Sequence, residues 1–358
     1  MAIALFVFHP ARADEYPSKP IRLIVPFAQV DTPGLVSRRP VRGEGVRAAG
    51  FTTVALASTE QYPSKPIRLI VPFAPGGGTD IIARIFAADM SDELRQSMVI
   101  DNRGGAGSTL GTGLAAQAPP DGYTLLLGNI SLAFNAALYR SLPFDATKDL
   151  AAVSLVAVQP NILVIHPSVA AKSLKEFIEL ARAQPGKLAY ASAGTGSGTH
   201  LAAELLKMEL KIDVLHVPYK GTGPALTDLL GGQVQVMLST FASALPFVKS
   251  GRLRALGVTS TRRSPAAPDV PTLIEAGVPD FEYSTWYGLL APVRTPRREI
   301  MHLNAAARRV LASNQLKQKF ESVGIDPLGN TPAEFDAYLK AESRKWGKVV
   351  RAAGIPPQ

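Results

Sequence analysis

From Tyr62 onward the apolar positions alternate between two periods. IRLIVPF, Ile67 to Phe73, is a continuous apolar run of strand length. Beyond it Ile81, Ile82, Ile85, Phe86 and Met90 recur at helical spacing, which predicts an amphipathic helix starting near Thr79. Met98 to Asp101 reads as a short strand. Gly107 to Gln117 reads as a helix closed by Pro119, Pro120 and Gly122, and YTLLLG, Tyr123 to Gly128, as a buried strand. Ala152 to His166 is a long extended region that Pro160 is expected to interrupt. Ser173 with Glu176 forms a capping box ahead of a helix from Leu174 to Gln184. Leu188 to Ser192, Val214 to Val217, Val234 to Leu238 and Leu253 to Thr259 read as strands with helices between them. Thr331, Pro332 and Glu334 open a terminal helix with a second capping box and a proline at its first position. This alternation predicts an α/β protein with mostly parallel sheets and ligand loops at the carboxyl ends of the strands.

The first strand occurs twice. YPSKPIRLIVPFA runs from Tyr16 to Ala28 and again from Tyr62 to Ala74. The first copy continues into a stretch where Pro33, Gly34, Pro40, Gly43 and Gly45 break any helix, and neither period survives. Only the second copy leads into a glycine loop and an amphipathic helix, so the organised protein is expected to begin near Tyr62. Each copy follows an export-like stretch. Ala2 to Phe8 is a short apolar core ahead of Ala11-Arg12-Ala13, and Val46 to Ser58 carries Ala55-Leu56-Ala57. The first lacks a positive start and reads as a truncated signal. Residues 1–61 are expected to form a disordered, partly duplicated extension.

Composition narrows the classes. Apolar residues are 46% of the 358 and charged residues 19%, enough for two domains with real cores. There is no cysteine, which excludes disulfides, thiolate metal sites, a catalytic thiol and a lipid-anchored N-terminal Cys. The net charge of +9 favours anionic partners. No cation cluster is denser than Arg38, Arg39 and Arg42, and no nucleic-acid motif is present, so nucleic acid is the weakest of these. No apolar run approaches the roughly 20 residues of a spanning helix.

The chemistry is expected in the strand-to-helix loops. PFAPGGGTD brings Phe73, Ala74, Gly76, Gly77, Gly78, Thr79 and Asp80 to a helix N-terminus. Consecutive glycines let backbone N–H groups approach a ligand, and the helix end favours an anion. No Gly-Lys-Ser/Thr follows, so it is not a P-loop. Thr79 or Asp80 could cap the helix. ASAGTGSGTHL supplies a second such loop with Ser192, Ala193, Gly194, Thr195, Gly196, Thr199 and His200. Its G-x-G-x-G spacing is a poor dinucleotide fingerprint, because Asp213 opens rather than ends the next strand. His200 is read as a helix-start residue that caps or touches a ligand. In VPYKGTGPALTDLL, Tyr219 and Lys220 precede the next helix, and Lys220 is as readily a solvated turn residue as a contact. NISLAFN offers Asn129 and Ser131. Trp286 and Tyr287 are either core or the wall of a pocket.

These segments, together with DNRGGAGSTLGT, DGYTLLLGN, DVPTLIEAGVP and WYGLLAP, occur in an order that resembles the periplasmic solute receptors of the tripartite tricarboxylate transporter system, the Bordetella uptake gene product type. The likeness runs from Tyr62 to the C-terminus. It implies a two-lobed, type II Venus flytrap fold with mixed, mostly parallel sheets. It implies no catalysis and no cofactor, and a small carboxylate ligand: a di- or tricarboxylate, an amino acid or an aromatic acid. Further implications are a monomer working with large and small membrane subunits, and a periplasmic location. Phe73 to Asp80 and Ser192 to His200 correspond to the family's two binding loops. Gly104 stands where family members often have proline, and Ser239 where many have aspartate. Lobe I is expected over residues 62–157 and 260–358, and lobe II over 158–259.

The competing reading is a nucleotide-binding α/β enzyme using the Gly194 to Gly198 loop. Against it, no Gly-x-Ser-x-Gly, His-Glu-x-x-His or paired-carboxylate motif is present. A chain starting at Gln61 should fold and bind ligand as the full chain does, by calorimetry. Loss of either would show that the first copy of the repeat is needed.

Overall fold

The computed structural model describes residues 62–352. The export-like stretches and the first copy of the repeat lie outside the described residues. In chain order the first elements are β1 (Ile67–Val71), α1 (Gly78–Leu94), β2 (Met98–Asn102), α2 (Thr109–Ala116), β3 (Thr124–Asn129), α3 (Ser131–Leu138) and β4 (Leu150–Ile165). Then come α4 (Leu174–Ala183), β5 (Ala189–Ser192), α5 (Gly198–Leu210), β6 (Leu215–Pro218), α6 (Thr222–Leu230), β7 (Val236–Thr240), α7 (Phe241–Lys249) and β8 (Arg254–Val258). The last are β9 (Ser284–Pro292), α8 (Arg297–Ala312), α9 (Asn314–Glu321), β10 (Asp326–Pro327) and α10 (Pro332–Ala352).

Among the described strands, parallel pairing forms two three-stranded blocks, β2-β1-β3 and β6-β5-β7. Antiparallel strands join them. β9 pairs with β3 and with the first part of β4, while β7 and β8 pair with its second part. The result is a two-lobed α/β fold in which one long strand serves both sheets.

Alternation along β1 explains the packing of the first sheet. Ile67, Leu69 and Val71 face Ile82, Phe86 and Met90 of α1 and Leu303 and Ala307 of α8, whereas Ile70 belongs to the opposite core with Phe134, Phe335 and Trp346. In the second sheet Ile162 and Val164 pack with Leu226, Leu229, Phe241 and Leu245. Both capping boxes form. Glu176 N–H donates to Ser173 Oγ at 3.2 Å and Glu334 N–H to Thr331 Oγ1 at 3.3 Å.

Pro160 does not interrupt β4. It lies opposite Ser284, where pairing with β9 ends. A missing N–H costs little at that point, because the next residue has changed partners. Asn161 N–H donates to Thr259 Oγ1 at 2.8 Å, and Asn161 Oδ1 accepts from Thr285 Oγ1 at 3.0 Å. Trp286 and Tyr287 are core residues, 1% and 0% exposed. Trp286 Nε1 donates to Glu342 Oε2 at 3.1 Å, and the Tyr287 hydroxyl accepts from Gln159 Nε2 at 2.7 Å.

Gln159, on β4, is completely buried, and its Oε1 accepts from Ala242 N–H in the first turn of α7 at 3.0 Å. Gln159→Leu leaves two buried polar groups unpaired. It should cost about 1–3 kcal/mol, read as a lower urea midpoint with an unchanged m-value.

Candidate functional site

Two glycine loops face one another across the fold. The first connects β1 to α1. Gly77 is the N-cap of α1 and supplies no side-chain cap, so neither Thr79 nor Asp80 fills that role. Asp80 instead braces the loop from behind. Its carboxylate accepts from Gly76 N–H at 3.0 Å, from Arg84 at 2.9 and 3.0 Å, and from Asn102 Nδ2 at 3.0 Å. Burial alone would raise its pKa, but these donors together outweigh it and hold the carboxyl below the usual carboxylate range.

The second loop connects β5 to α5, and Ser197 caps it by accepting His200 N–H at 3.2 Å. Most of its polar groups are satisfied internally. Ala193 N–H donates to Thr199 Oγ1 at 2.8 Å and Gly194 N–H to Ser192 Oγ at 3.1 Å. Gly196 N–H donates to His200 Nδ1 at 3.3 Å.

Between the loops lies a cavity of about 20 Å³, room for one water. Its walls are Phe73, Gly77, Gly78, Thr79, Asn129, Ala193, Ser197, Gly198, Thr199, Thr222, Thr240 and Thr285. The N-terminal ends of α1, α5, α6 and α7 therefore meet at one point. Among the described residues, the N–H groups of Gly77, Gly78, Thr79, Gly198, Thr199 and Thr222 donate to nothing. No charged side chain lines the space. Larger hollows of about 500 Å³ beside Pro160 and about 690 Å³ beside α6 have no such convergence of helix ends. The small cavity is chemically the most directed: a polar pocket of neutral donors whose aligned helix dipoles favour an anion.

Of the residues singled out in the sequence, Phe73, Gly77, Gly78, Thr79, Asn129, Ala193 and Thr199 line the cavity. Ala74, Gly76, Asp80, Ser131, Ser192, Gly194, Thr195, Gly196, His200, Tyr219 and Lys220 lie outside its walls. Several of these hold the loops instead. Ala74 N–H donates to the Lys220 carbonyl at 3.1 Å, and the Lys220 residue is exposed. The Thr195 carbonyl accepts from Tyr139 Oη at 2.8 Å, and the Tyr219 hydroxyl donates to Asp228 at 2.7 Å. At Gly104 a Cβ would lie 2.5 Å from the Lys220 carbonyl oxygen, so a side chain there would force these segments apart. Ser239 is fully buried on β7, its Oγ donating to the Thr240 carbonyl, and is not part of the wall. Ser197 and Gly198 fall inside the second loop marked in the sequence, though not singled out in it; Thr222, Thr240 and Thr285 were not offered as site residues. The signal for Ser197 was present, as a serine one residue before the helix; Thr240 and Thr285 carried none.

Residues 82–355 match the family described as Tripartite tricarboxylate transporter family receptor. Protein BugT of Bordetella pertussis is 38% identical over 347 residues, 96% of this chain and 92% of that one. A solved structure titled as a periplasmic transporter shares 42% identity and a TM-score of 0.80, over 82% of this chain and 99% of its own. An R. palustris protein solved with adipate shares 35% identity and a TM-score of 0.80, over 83% of this chain and 100% of its own. MatC from Rhodopseudomonas palustris, with bound malate, shares 35% identity and a TM-score of 0.76, over 81% and 100%.

A Cβ at Gly78 would lie 2.6 Å from Gln159 Nε2 and 2.9 Å from Thr240 Cβ. Gly78→Ala must therefore shift the first loop, at about 1–3 kcal/mol, and should weaken capture of an anion at this cavity by about tenfold or more. Lys220→Ala should change it by less than about threefold. Titration calorimetry of both variants checks the order; the reverse ranking would mean that a side-chain ion pair holds the ligand.

Proposed function

We propose, from the premise that this chain belongs to the tripartite tricarboxylate transporter receptor family, that it is a periplasmic receptor for a small carboxylate. It passes that ligand to the large and small membrane subunits of such a transporter, acts as a monomer and catalyses no reaction. The observation that carries this reading is the meeting of the α1, α5 and α6 N-termini, with their unpaired N–H groups, around one uncharged cavity. Adipate and malate in the two R. palustris neighbours support the ligand class.

The magnitudes fit a backbone cradle. Each helix N-terminus contributes about 0.3–1 kcal/mol to an anion, and about 2 when partly buried. Micromolar affinity needs about 8 kcal/mol. The rest comes from charge-assisted N–H bonds of about 1.5–3 kcal/mol each, offered by Gly77, Gly78, Thr79, Gly198, Thr199 and Thr222. The cavity of about 20 Å³ is too small for a diacid, so capture requires the lobes to part and close again. In this reading lobe I comprises residues 62–157 and 260–358, lobe II comprises 158–259, and the strands crossing at Asn161 and Thr259 are the hinge.

Adipate or malate should raise the melting temperature of the purified protein, while NAD and ATP leave it unchanged. Mass spectrometry of ligand co-purified from the periplasm should return a carboxylic acid. Stabilisation by a nucleotide and by no acid would replace the receptor reading with the enzyme one.

A further inference from the structure

Behind the second loop lies a stack of aromatic rings that does not line the cavity. His200, on α5, stacks on His216, on β6, with ring centroids 4.3 Å apart and planes at 24°. His216 stacks in turn on Tyr190, on β5, at 4.8 Å and 18°. Each histidine reaches the second loop, His200 at its backbone and His216 at the Ser192 hydroxyl. His200 Nδ1 accepts from Gly196 N–H at 3.3 Å. His216 Nε2 lies 2.6 Å from Ser192 Oγ, which itself accepts from Gly194 N–H at 3.1 Å. The charged and titratable groups facing the pair are the Tyr190 hydroxyl, which bonds Glu204, and Glu204 and Lys207 of α5, 2.9 Å apart.

The bond at His200 fixes its protonation state. A nitrogen that accepts from Gly196 N–H carries a lone pair, so Nδ1 of His200 holds no proton. Ser192 Oγ accepts from Gly194 N–H, and with Nε2 of His216 unprotonated the hydroxyl proton points to that nitrogen, 2.6 Å away. His200 is therefore neutral with its proton on Nε2, and the matching state of His216 is the neutral ring with its proton on Nδ1. A protonated His200 would set N–H against N–H at Gly196, and two stacked cations would repel.

We propose that His200 and His216 are a positioning pair: kept neutral, they hold the Gly194 and Gly196 N–H groups inside the loop and leave Gly198 and Thr199 as its anion donors, and acid breaks this arrangement and weakens carboxylate capture. The inference rests on the receptor reading above for its ligand, but not for the bonds themselves. Burial is the main cause that lowers the pKa of both rings, with His200 adding to the effect on His216, which is pushed down to about 4. The sign follows. The ordered loop binds fewer protons than a released loop whose histidines titrate near about 6.5. Its stability is complete above that pH and is lost as pH falls from there toward the folded-state value near 4.

Asparagine places Oδ1 close to the position of histidine Nδ1, and glutamine can offer an acceptor where Nε2 stands, so each conserves the acceptor without the titration. His200→Asn and His216→Gln should bind adipate within about threefold of wild type at pH 7.5, and His200→Leu about tenfold more weakly. Between pH 6.5 and 5 wild type should lose affinity relative to the Asn and Gln variants. Adipate's own protonation is common to all three and cancels. Nitrogen-15 spectra of histidine-labelled full-length protein at pH 7.5, without ligand, should show an unprotonated Nδ1 in one buried ring and an unprotonated Nε2 in the other. The other tautomers, or a wild-type profile parallel to those of both conservative variants, would overturn the proposal. A relative gain of wild-type affinity in acid would also overturn it, by making a histidine the ligand's counter-ion. If wild type binds neither adipate nor malate, the ligand class fails while the nitrogen spectra still decide the relay.

Discussion

Hydrogen bonding through β4 is the constraint on which the rest of the structure depends. A strand must satisfy its backbone groups along its whole length, and β4 does so by exchanging β9 for β7 and β8 near Asn161. Both sheets are thereby built on one backbone, and their site-bearing ends are brought opposite each other. The exchange is sealed by buried side chains. Asn161 bonds Thr259, Thr285 and the Leu238 carbonyl, while Gln159 joins Tyr287 to the first turn of α7. Gln159 also lies directly beneath Gly78. The residue that stabilises the crossing is thus the one that sets how closely the first loop approaches the second sheet.

The cavity uses backbone rather than side-chain charge, and this has an electrostatic reason. A lysine or arginine in a closed cleft would carry its own desolvation cost whenever the site was empty. Helix N–H groups are already fixed in place and aligned with the helix dipoles. The nearby carboxylate of Asp80 would oppose an anion, but Arg84 neutralises it and Asn102 and Gly76 point it back into the loop. Glycine has a related role where the loops touch. A Cβ on Gly107 would lie 2.1 Å from the Thr195 oxygen, and one on Gly223 2.1 Å from the Pro75 oxygen. These two glycines serve the close approach of one backbone segment to another.

The two glycine loops also differ in how they are stiffened. The first relies on an ion pair and an amide behind it, the second on two stacked histidine rings. Among the described residues no three His, Cys, Asp or Glu side chains are grouped to hold a metal ion. What lies behind the second loop is a hydrogen-bonded stack, in which His200 accepts the Gly196 N–H and His216 meets the Ser192 hydroxyl.

Much was legible in the chain itself. The change from a continuous apolar run to helical spacing located β1 and α1, and the two capping boxes located the starts of α4 and α10, because these signals depend only on neighbours in sequence. The glycine loops were visible for the same reason, and so was their place at helix N-termini. The sequence overstated Pro160, since whether a missing N–H matters depends on the strand opposite. It left His200 as a cap or a ligand contact and Lys220 as a solvated turn residue or a contact; in the structure His200 accepts Gly196 N–H, and Lys220 is exposed and contributes its carbonyl. It was silent on Thr240, Thr285 and His216, each far along the chain from the residues it serves. Local periodicity and capping are fixed within a few residues and can be read from order alone. Which donors remain unpaired, and which helix ends meet, is settled only when β4 brings distant loops to one point.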